Sequence, residues 1–368
     1  MRWSDARRVL CIRLDSLGDV LMTTPALRAV QTGGRRVTLL TSRSGAAVGR
    51  LVPEVAEVWP YDAPWLKATA PRAGEVDRAF VERLRAAGFD AAIVFTVYSQ
   101  NPLPAALLAY LADIPLRLAH CRENPYQLLT DWVKETEPEA GVRHEVRRQL
   151  DLVAHVGMRA EYDHLSFRTC PEDLIVAAAE LRRRGLGRRP WVALHAGATA
   201  SSRRYPPERY AEVVRALVRE HGLDVVLTGA AEEAGLVAQI QADAGVPSHS
   251  LAGRLTLGAL AAVLRRAALL ISNNTGPAHV AAAVGTPVVC LYALTNPQHT
   301  PWGVPARVLS RPVPCANCYR SICPEGHHEC LRGVAPAAVV SAALELLGQP
   351  AAAPSRAPVM SLCRPSMS

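Results

Sequence analysis

The stretch SNNTGPAHVAAAVGTPVVCL, residues 272–291, decides the fold that the sequence predicts. The apolar run Ala267–Ile271 before it indicates a strand, and the polar turn Asn273–Gly276 leads into an Ala/Val-rich segment typical of a helix. After Gly285 a second β-branched run indicates another strand. A helix that begins at the end of a strand exposes unpaired N–H groups at the positive end of its dipole. The stretch therefore predicts a parallel α/β sheet and a phosphate-bearing ligand.

The same succession of strand, turn and helix occurs in both halves of the chain, which indicates two doubly wound α/β domains that face a central cleft. Strands are predicted at 8–14, 36–41, 54–59, 90–95, 191–194 and 224–228. Helices with loops are expected from Pro102 to Gly157. The predicted domains are residues 1–168 and 169–347, and residues 348–368, rich in Pro, Ala and Ser, are expected to form a disordered tail.

The composition excludes several classes of protein. Hydrophobic residues make up 49% of the chain, which is enough for buried cores, and the net charge is +8. The arginines are dispersed and no nucleic-acid-binding module is present, so nucleic acid is not an expected partner. Two interpretations of the charge stay open: a solvated basic surface, or attraction to an anionic membrane or polyanionic substrate. With no secretory signal and no long apolar run, the expected location is the cytoplasm, with peripheral contact at the inner face of the plasma membrane left open.

In the first half, Gly18 and Asp19 stand where a strand passes into a helix. Gly18 permits a close backbone approach, and the Asp19 carboxylate could accept a proton from a sugar hydroxyl. The alternative is that Asp19 only caps the helix, a common use of aspartate.

In the second half, the loop 195–207 contains Gly197 and Thr199, whose N–H and hydroxyl groups suit a diphosphate, and Arg203 or Arg204 could neutralise its charge. The alternative is an ordinary polar loop. Gly229 ends a strand, and Glu232 lies in the next turn, where it could contact a ribose or complement a helix dipole. His279 lies one helical turn beyond Gly276 and can face the same ligand.

A cysteine-rich segment, residues 315–330, follows the last predicted strand. Its spacing, Cys-x2-Cys-x4-Cys-x6-Cys, together with two adjacent histidines, is compatible with a structural zinc ion. Free thiols in a folded loop are the alternative. The four candidate ligands are Cys315, Cys318, Cys323 and Cys330.

Several stretches together resemble one family. They are VLCIRLDSLGDVLMTTPALRAV (9–30), VALHAGATASSRRYPPERYAEVVRAL (192–217), VVLTGAAEE (225–233) and LAGRLTLGALAAVLRRAALLISNNTGPAHVAAAVGTPVVCLY (251–292). In this order they resemble glycosyltransferase family 9, the ADP-heptose:lipopolysaccharide heptosyltransferase type. The resemblance covers roughly residues 8–347 and lacks recognisable text from about 60 to 165. It implies a GT-B architecture of two Rossmann-like domains, with the acceptor bound mainly by the first and the nucleotide-sugar by the second.

The resemblance also implies roles for individual residues. Asp19 matches the catalytic aspartate of the family's SLGD motif, and Arg203 matches a basic residue that stabilises the departing diphosphate. Residues 274–279 match a motif that contacts the donor phosphates through Thr275, Gly276 and His279. Asn274 replaces the aspartate usual there, which removes a carboxylate but keeps a hydrogen-bonding side chain. Glu232 is the implied adenosine-ribose contact.

The implied reaction is metal-independent, inverting transfer of a heptose or related sugar from a nucleotide-sugar, ADP-heptose by resemblance, to a lipopolysaccharide core or another glycan acceptor, free or lipid-linked. Asp19 would deprotonate the acceptor hydroxyl, and Arg203 with the start of the helix after Thr275 would offset the charge of the leaving diphosphate. No catalytic cofactor is expected. Two alternatives stay open: a nucleotide-sugar epimerase of GT-B fold, and a non-catalytic nucleotide-sugar or glycan-binding protein.

Overall fold

The computed structural model describes residues 1–66 and 69–348, and its chain divides into two compact units, Met1–Ser166 and a second that begins at Phe167. Apart from Gly348, the tail predicted to be disordered lies outside the described residues. Within these described ranges, no helix has the length and apolar character needed to cross a membrane.

The first unit is built on a six-stranded parallel sheet in the order β3-β2-β1-β4-β5-β6. In chain order its elements are β1 (Arg8–Arg13), α1 (Leu17–Gln31), β2 (Arg36–Thr41), α2 (Arg43–Gly49), β3 (Glu57–Pro60), α3 (Gly74–Ala87), β4 (Ala91–Val94), α4 (Leu103–Leu111), β5 (Leu116–Cys121), β6 (Asp131–Lys134) and α5 (Glu145–Ala154). The order reverses between β1 and β4, which makes the carboxyl ends of these two strands the expected ligand position of this sheet.

The second unit repeats this plan, with the order β12-β11-β10-β7-β8-β9. Its elements are α6 (Pro171–Arg183), β7 (Trp191–His195), α7 (Pro207–Arg219), β8 (Asp224–Thr228), α8 (Ala234–Ala244), β9 (His249–Ser250), α9 (Leu257–Leu264), β10 (Leu269–Asn273), α10 (Gly276–Ala283), β11 (Val288–Leu291), β12 (Ala306–Leu309), α11 (Glu329–Arg332) and α12 (Pro336–Leu347). Here the order reverses between β7 and β10.

The central strands are continuous apolar runs because helices cover both faces of a doubly wound sheet. Every residue of β4 and of β11 is buried. The covering helices are amphipathic: α7 buries Tyr210, Val213, Val214 and Leu217 against the second sheet, and it exposes Glu208, Glu212 and Arg219. This burial holds the strand ends, and the turns that follow them, in fixed positions. The α/β class and the two parallel sheets predicted from the sequence are confirmed.

The expectation of helices and loops from Pro102 to Gly157 was wrong in one respect, because β5 and β6 lie in this region. Polar residues interrupt the apolar pattern of both strands. In β5 the guanidinium of Arg117 lies along the strand end, where its Nε donates to the carbonyl oxygen of Leu128 at 2.9 Å. His120 is buried, and its Nε2 lies 3.2 Å from the carbonyl oxygen of Arg148. These contacts give each of the two polar side chains at least one hydrogen-bond partner.

Candidate functional site

At the switch point of the first sheet, Asp19 lies in the first turn of α1, directly after β1. Its Oδ2 accepts hydrogen bonds from the backbone N–H of Ser16 at 3.1 Å and from the Ser16 hydroxyl at 2.6 Å. Its Oδ1 lies 3.3 Å from Nη2 of Arg13, and its side chain is 15% exposed. Gly18 beside it is buried. Asp19 therefore caps the helix and also belongs to a buried ionic cluster, so the capping interpretation does not exclude a chemical role.

Arg13, the last residue of β1, is the centre of that cluster. Its guanidinium is fully buried and contacts three carboxylates: Asp19, Asp15 through Nε at 3.0 Å, and Glu145 through Nη1 at 2.8 Å. Glu145 is the first residue of α5 and is itself fully buried. A buried charge requires such pairing, because removing an ion from water is costly.

Asp15 lies in the turn between β1 and α1. Its Oδ1 accepts a hydrogen bond from the Gln100 side-chain amide at 2.6 Å. Burial raises the pKa of Asp15 to about 6, although the nearby Arg13 charge acts in the opposite direction. The negative charges of Asp19 and Glu145 add to the increase. Asp15 therefore takes up a proton at a higher pH than an ordinary aspartate does.

At the switch point of the second sheet, Asn273 ends β10 and is fully buried. Its Nδ2 donates to the carbonyl oxygen of Ala196 at 2.7 Å. Its Oδ1 accepts from the backbone N–H of Tyr205 at 3.1 Å and from the Tyr210 hydroxyl at 3.0 Å. Two of these bonds attach the ends of the loop 196–205 to the central strand, and the third attaches α7 through Tyr210, so Asn273 fixes the loop that contains Gly197, Thr199 and Arg203.

The residues that follow, Asn274, Thr275 and Gly276, form the start of α10. Asn274 is 3% exposed, and among the described residues its Oδ1 has no hydrogen-bond partner. Thr275 is the N-cap residue and Gly276 the first helical residue, and both are half-buried. His279 is buried one turn later. A buried amide with an unpaired oxygen, next to a helix N-terminus, is an arrangement that a polar ligand can complete.

Arg203 lies at the end of a short 3-10 turn, Ser201–Arg203, and is half-buried. In the part of the chain that the structure describes, Arg203 forms no ion pair with a carboxylate. Burial raises the pKa of the Tyr292 hydroxyl, while the positive charge of Arg203 and a hydrogen bond with Asn274 act in the opposite direction. Arg203 and Asn274 therefore both act on Tyr292. Thr199, in the same loop, is exposed.

Gly197 and Gly229 follow neighbouring strands, and the side chain of Glu233 passes over both. A Cβ on Gly197 would lie 1.8 Å from Oε1 of Glu233, and one on Gly229 would lie 3.2 Å from its Cβ. Glu233 Oε2 accepts from the backbone N–H of Ala230 at 2.8 Å and lies 3.7 Å from His195 Nε2. Glu232 is exposed. Glu233 is therefore the acidic residue of this turn that contacts the strand ends, whereas Glu232 faces solvent.

The cysteine-rich segment packs against the same edge of the second sheet. The Ser202 hydroxyl donates to the carbonyl oxygen of Arg320 at 2.8 Å, and the backbone N–H of Asn317 donates to Leu294 O at 2.7 Å. The four cysteines of the segment are free thiols and half-buried. Cys315 Sγ lies 3.8 Å from Nε2 of His327.

The structural zinc site predicted from these cysteines finds no support. Among the residues that the structure describes, no three or more His, Cys, Asp or Glu side chains are placed to hold a metal ion. The segment is fixed instead by backbone bonds to neighbouring strand ends and to the turn that contains Arg203.

Sequence patterns missed Arg13, Glu145, Asn273 and Glu233 as site residues. An arginine at the end of an otherwise apolar strand is a usable signal, because a buried arginine needs anionic partners. Glu145 carries no such local signal, since it lies far from Arg13 in the sequence and meets it only through the fold.

Comparison with known proteins identifies related chains. The model of the family described as "Glycosyltransferase family 9 (heptosyltransferase)" matches residues 78–329. Lipopolysaccharide heptosyltransferase 2 of Escherichia coli is 27% identical over 358 residues, covering 93% of this chain and 99% of the relative. A family 9 glycosyl transferase structure from Veillonella parvula superposes with a TM-score of 0.77 at 23% identity, covering 94% of this chain and 98% of that one. The Escherichia coli ADP-heptose LPS heptosyltransferase II structure gives 0.69 at 24% identity, covering 92% and 98%.

Proposed function

The chain belongs to glycosyltransferase family 9, whose GT-B fold it shares, and from that premise we propose that it transfers a heptose from ADP-heptose to a lipopolysaccharide core acceptor. The observation that carries the proposal is Asp19, a largely buried carboxylate bound to a buried arginine at the switch point of the first sheet. The names of the related heptosyltransferases support the donor and the acceptor.

In the proposed reaction the carboxylate of Asp19 accepts the proton of the attacking acceptor hydroxyl. The hydroxyl oxygen forms a bond to the anomeric carbon while the bond from that carbon to the diphosphate oxygen breaks. Attack from the face opposite the leaving group inverts the anomeric configuration. ADP leaves with the electron pair of the broken bond, and the proton stays on Asp19 until solvent removes it.

The second unit supplies the groups proposed to bind the donor. Arg203 offsets the charge that develops on the diphosphate, and the amides at Thr275 and Gly276 donate to its oxygens at the positive end of α10. The side-chain amide of Asn274 and the imidazole of His279 complete the polar lining. Because these groups are cationic or hydrogen-bond donors, the proposal assigns the charge stabilisation to the chain itself and requires no metal ion.

The proposal predicts that Asp19→Asn abolishes transfer. The amide cannot accept the proton, so we expect the rate to fall by about 10²- to 10⁴-fold. ADP release from ADP-heptose, measured with and without a heptose-acceptor core oligosaccharide, reports the rate, and calorimetric titration with ADP reports donor binding. Asp62→Asn is the matched control, because its carboxylate pairs with the exposed Arg43 in the same unit.

Three outcomes would contradict the proposal. Transfer by Asp19→Asn at a comparable rate would remove Asp19 as the base. ADP release that never depends on an acceptor would favour an epimerase or hydrolase. A product with the donor's anomeric configuration, determined by NMR, would exclude inversion. Peripheral membrane contact stays a separate prediction, which co-flotation of the protein with anionic phospholipid vesicles measures.

A further inference from the structure

We propose that Arg13 is the positioning residue of the reaction. Its guanidinium, which also contacts Glu145 and Asp15, holds the carboxylate of Asp19 in the orientation that accepts the proton of the acceptor hydroxyl. This inference rests on the proposed function, because it concerns the same carboxylate. Arg13 does not touch substrate in this role and acts only through Asp19.

The geometry of the guanidinium supports the assignment. Three different nitrogens of Arg13 contact three carboxylates, with Nε at 3.0 Å from Asp15, Nη1 at 2.8 Å from Glu145 and Nη2 at 3.3 Å from Asp19. The two Nη groups of the planar fork donate in fixed directions, to Glu145 and to Asp19, while Nε lies beside Asp15 without a hydrogen bond to it. A lysine ammonium is a single point charge and cannot reproduce this fork. Glu145 is itself held, because its Oε1 also accepts from the Gln149 side-chain amide at 2.5 Å. Asp19 is thus fixed relative to α5 as well as to its own helix.

The charge balance of the cluster explains why the positioning also affects protonation. One guanidinium faces three carboxylates, so the cluster carries an excess of negative charge when all are ionised. The cations of the packed helices have other partners: in α5, Arg148 pairs with Glu135 at 2.5 Å, and in α2, Arg43 pairs with Asp62 at 2.7 Å.

Arg147 of α5 is likewise paired, with Asp163 at 2.7 Å. Gln100 and Gln149, which also face the cluster, are neutral. Burial raises the pKa of Asp15 to about 6, so part of the negative charge of the cluster is lost as the pH falls through that range. Removing any single charge must therefore change the acidity range over which Asp19 works as a base.

The test is the pH dependence of kcat in four purified variants. In Arg13→Lys the fork is lost, so we expect kcat to fall about 10- to 100-fold and the acid limb of the profile to move to higher pH by roughly one unit. In Glu145→Gln and in Asp15→Asn one negative charge is lost, so the acid limb should move to lower pH. Glu145→Gln keeps the shape of the side chain, so it still tests the inference if Arg13→Lys does not fold. ADP affinity, which reports on the second unit, should change less than about twofold in all of them.

Arg148→Lys is the matched control. Arg148 is also a fully buried arginine of the first unit with a carboxylate partner, but its Nε donates to the carbonyl oxygen of Thr96 and it does not contact Asp19. Its replacement should lower thermal stability and leave the pH profile in place. Equal pH profiles for Arg13→Lys and Arg148→Lys, or an acid limb that does not move in Glu145→Gln, would overturn the inference. Transfer by Asp19→Asn would instead refute Asp19 as the base. In that case the inference about Arg13 would be refuted together with the proposed function.

Discussion

Two adjacent asparagines, Asn273 and Asn274, lie at the end of β10. Replacing each by alanine distinguishes an effect on stability from an effect on ligand binding. Asn273→Ala removes three buried hydrogen bonds, to Ala196, Tyr205 and Tyr210. With about 0.5–1.5 kcal/mol for each bond, we expect the free energy of unfolding to fall by about 2–4 kcal/mol. Asn274→Ala removes a side chain whose Oδ1 has no partner among the described residues and loses one hydrogen bond, with the Tyr292 hydroxyl, so its expected cost is about 1 kcal/mol.

The effect on binding should be the reverse. If the amide of Asn274 bonds the donor, Asn274→Ala should weaken ADP binding by about tenfold, since one hydrogen bond contributes about 1.4 kcal/mol. Asn273 is not one of the residues proposed to bind the donor. Asn273→Ala should weaken binding only through a loosened loop 196–205.

Urea unfolding measures the stability difference, and hydrogen exchange followed by mass spectrometry locates it. The backbone N–H of Tyr205 donates directly to Asn273, so peptides that contain residues 196–206 should exchange faster in Asn273→Ala and at the native rate in Asn274→Ala. Calorimetric titration with ADP completes the comparison. Equal stability losses in the two variants, or unchanged exchange in Asn273→Ala, would refute the assignment of Asn273 as the anchor of the loop.

Two further substitutions test contacts away from the reaction. Arg28→Ala should lower the free energy of unfolding by about 3–5 kcal/mol, because it leaves the buried carboxylate of Glu54 without its cation. The control is Arg36→Ala, which breaks an exposed ion pair and should lower the free energy of unfolding by less than about 1 kcal/mol. Thermal or urea denaturation measures both. Ser202→Ala should lower the free energy of unfolding by about 1 kcal/mol, because the hydrogen bond from the hydroxyl to the carbonyl oxygen of Arg320 is lost. Hydrogen exchange in the turn that contains Arg203 should become faster. Unchanged exchange there would show that the cysteine-rich segment does not hold the turn.

The strands of the sheets were predictable where apolar residues run without interruption. The predicted bounds of β2 and β8 coincide with the observed ones, Arg36–Thr41 and Asp224–Thr228. At β10 the prediction ended at Ile271, but the strand continues to Asn273. Polarity indicated a turn there, yet Asn273 remains in the strand because tertiary hydrogen bonds satisfy its amide inside the core. Local pattern contains no information about partners that the fold brings in from elsewhere.

The candidate site shows the same division. Asp19, Asn274 and the start of α10 could be proposed from sequence, because each follows a strand at a turn, and this local order places it at the carboxyl edge of a parallel sheet. The partners that determine what these groups can do lie far away in the chain. Glu145 reaches Arg13 only because α5 packs beside α1, and the loop ending at Tyr205 is fixed by Asn273 across the sheet.

Electrostatics can explain why position 274 holds asparagine rather than the aspartate expected from the family motif. The side chain is 3% exposed, and both Arg203 and Asn274 act on the Tyr292 hydroxyl. A carboxylate at such a buried position would place a negative charge beside the N-terminus of α10, where the proposed ligand is itself anionic. A neutral amide avoids this repulsion and can still donate a hydrogen bond. We infer that asparagine rather than aspartate at position 274 keeps a negative charge out of the turn proposed to bind the donor diphosphate.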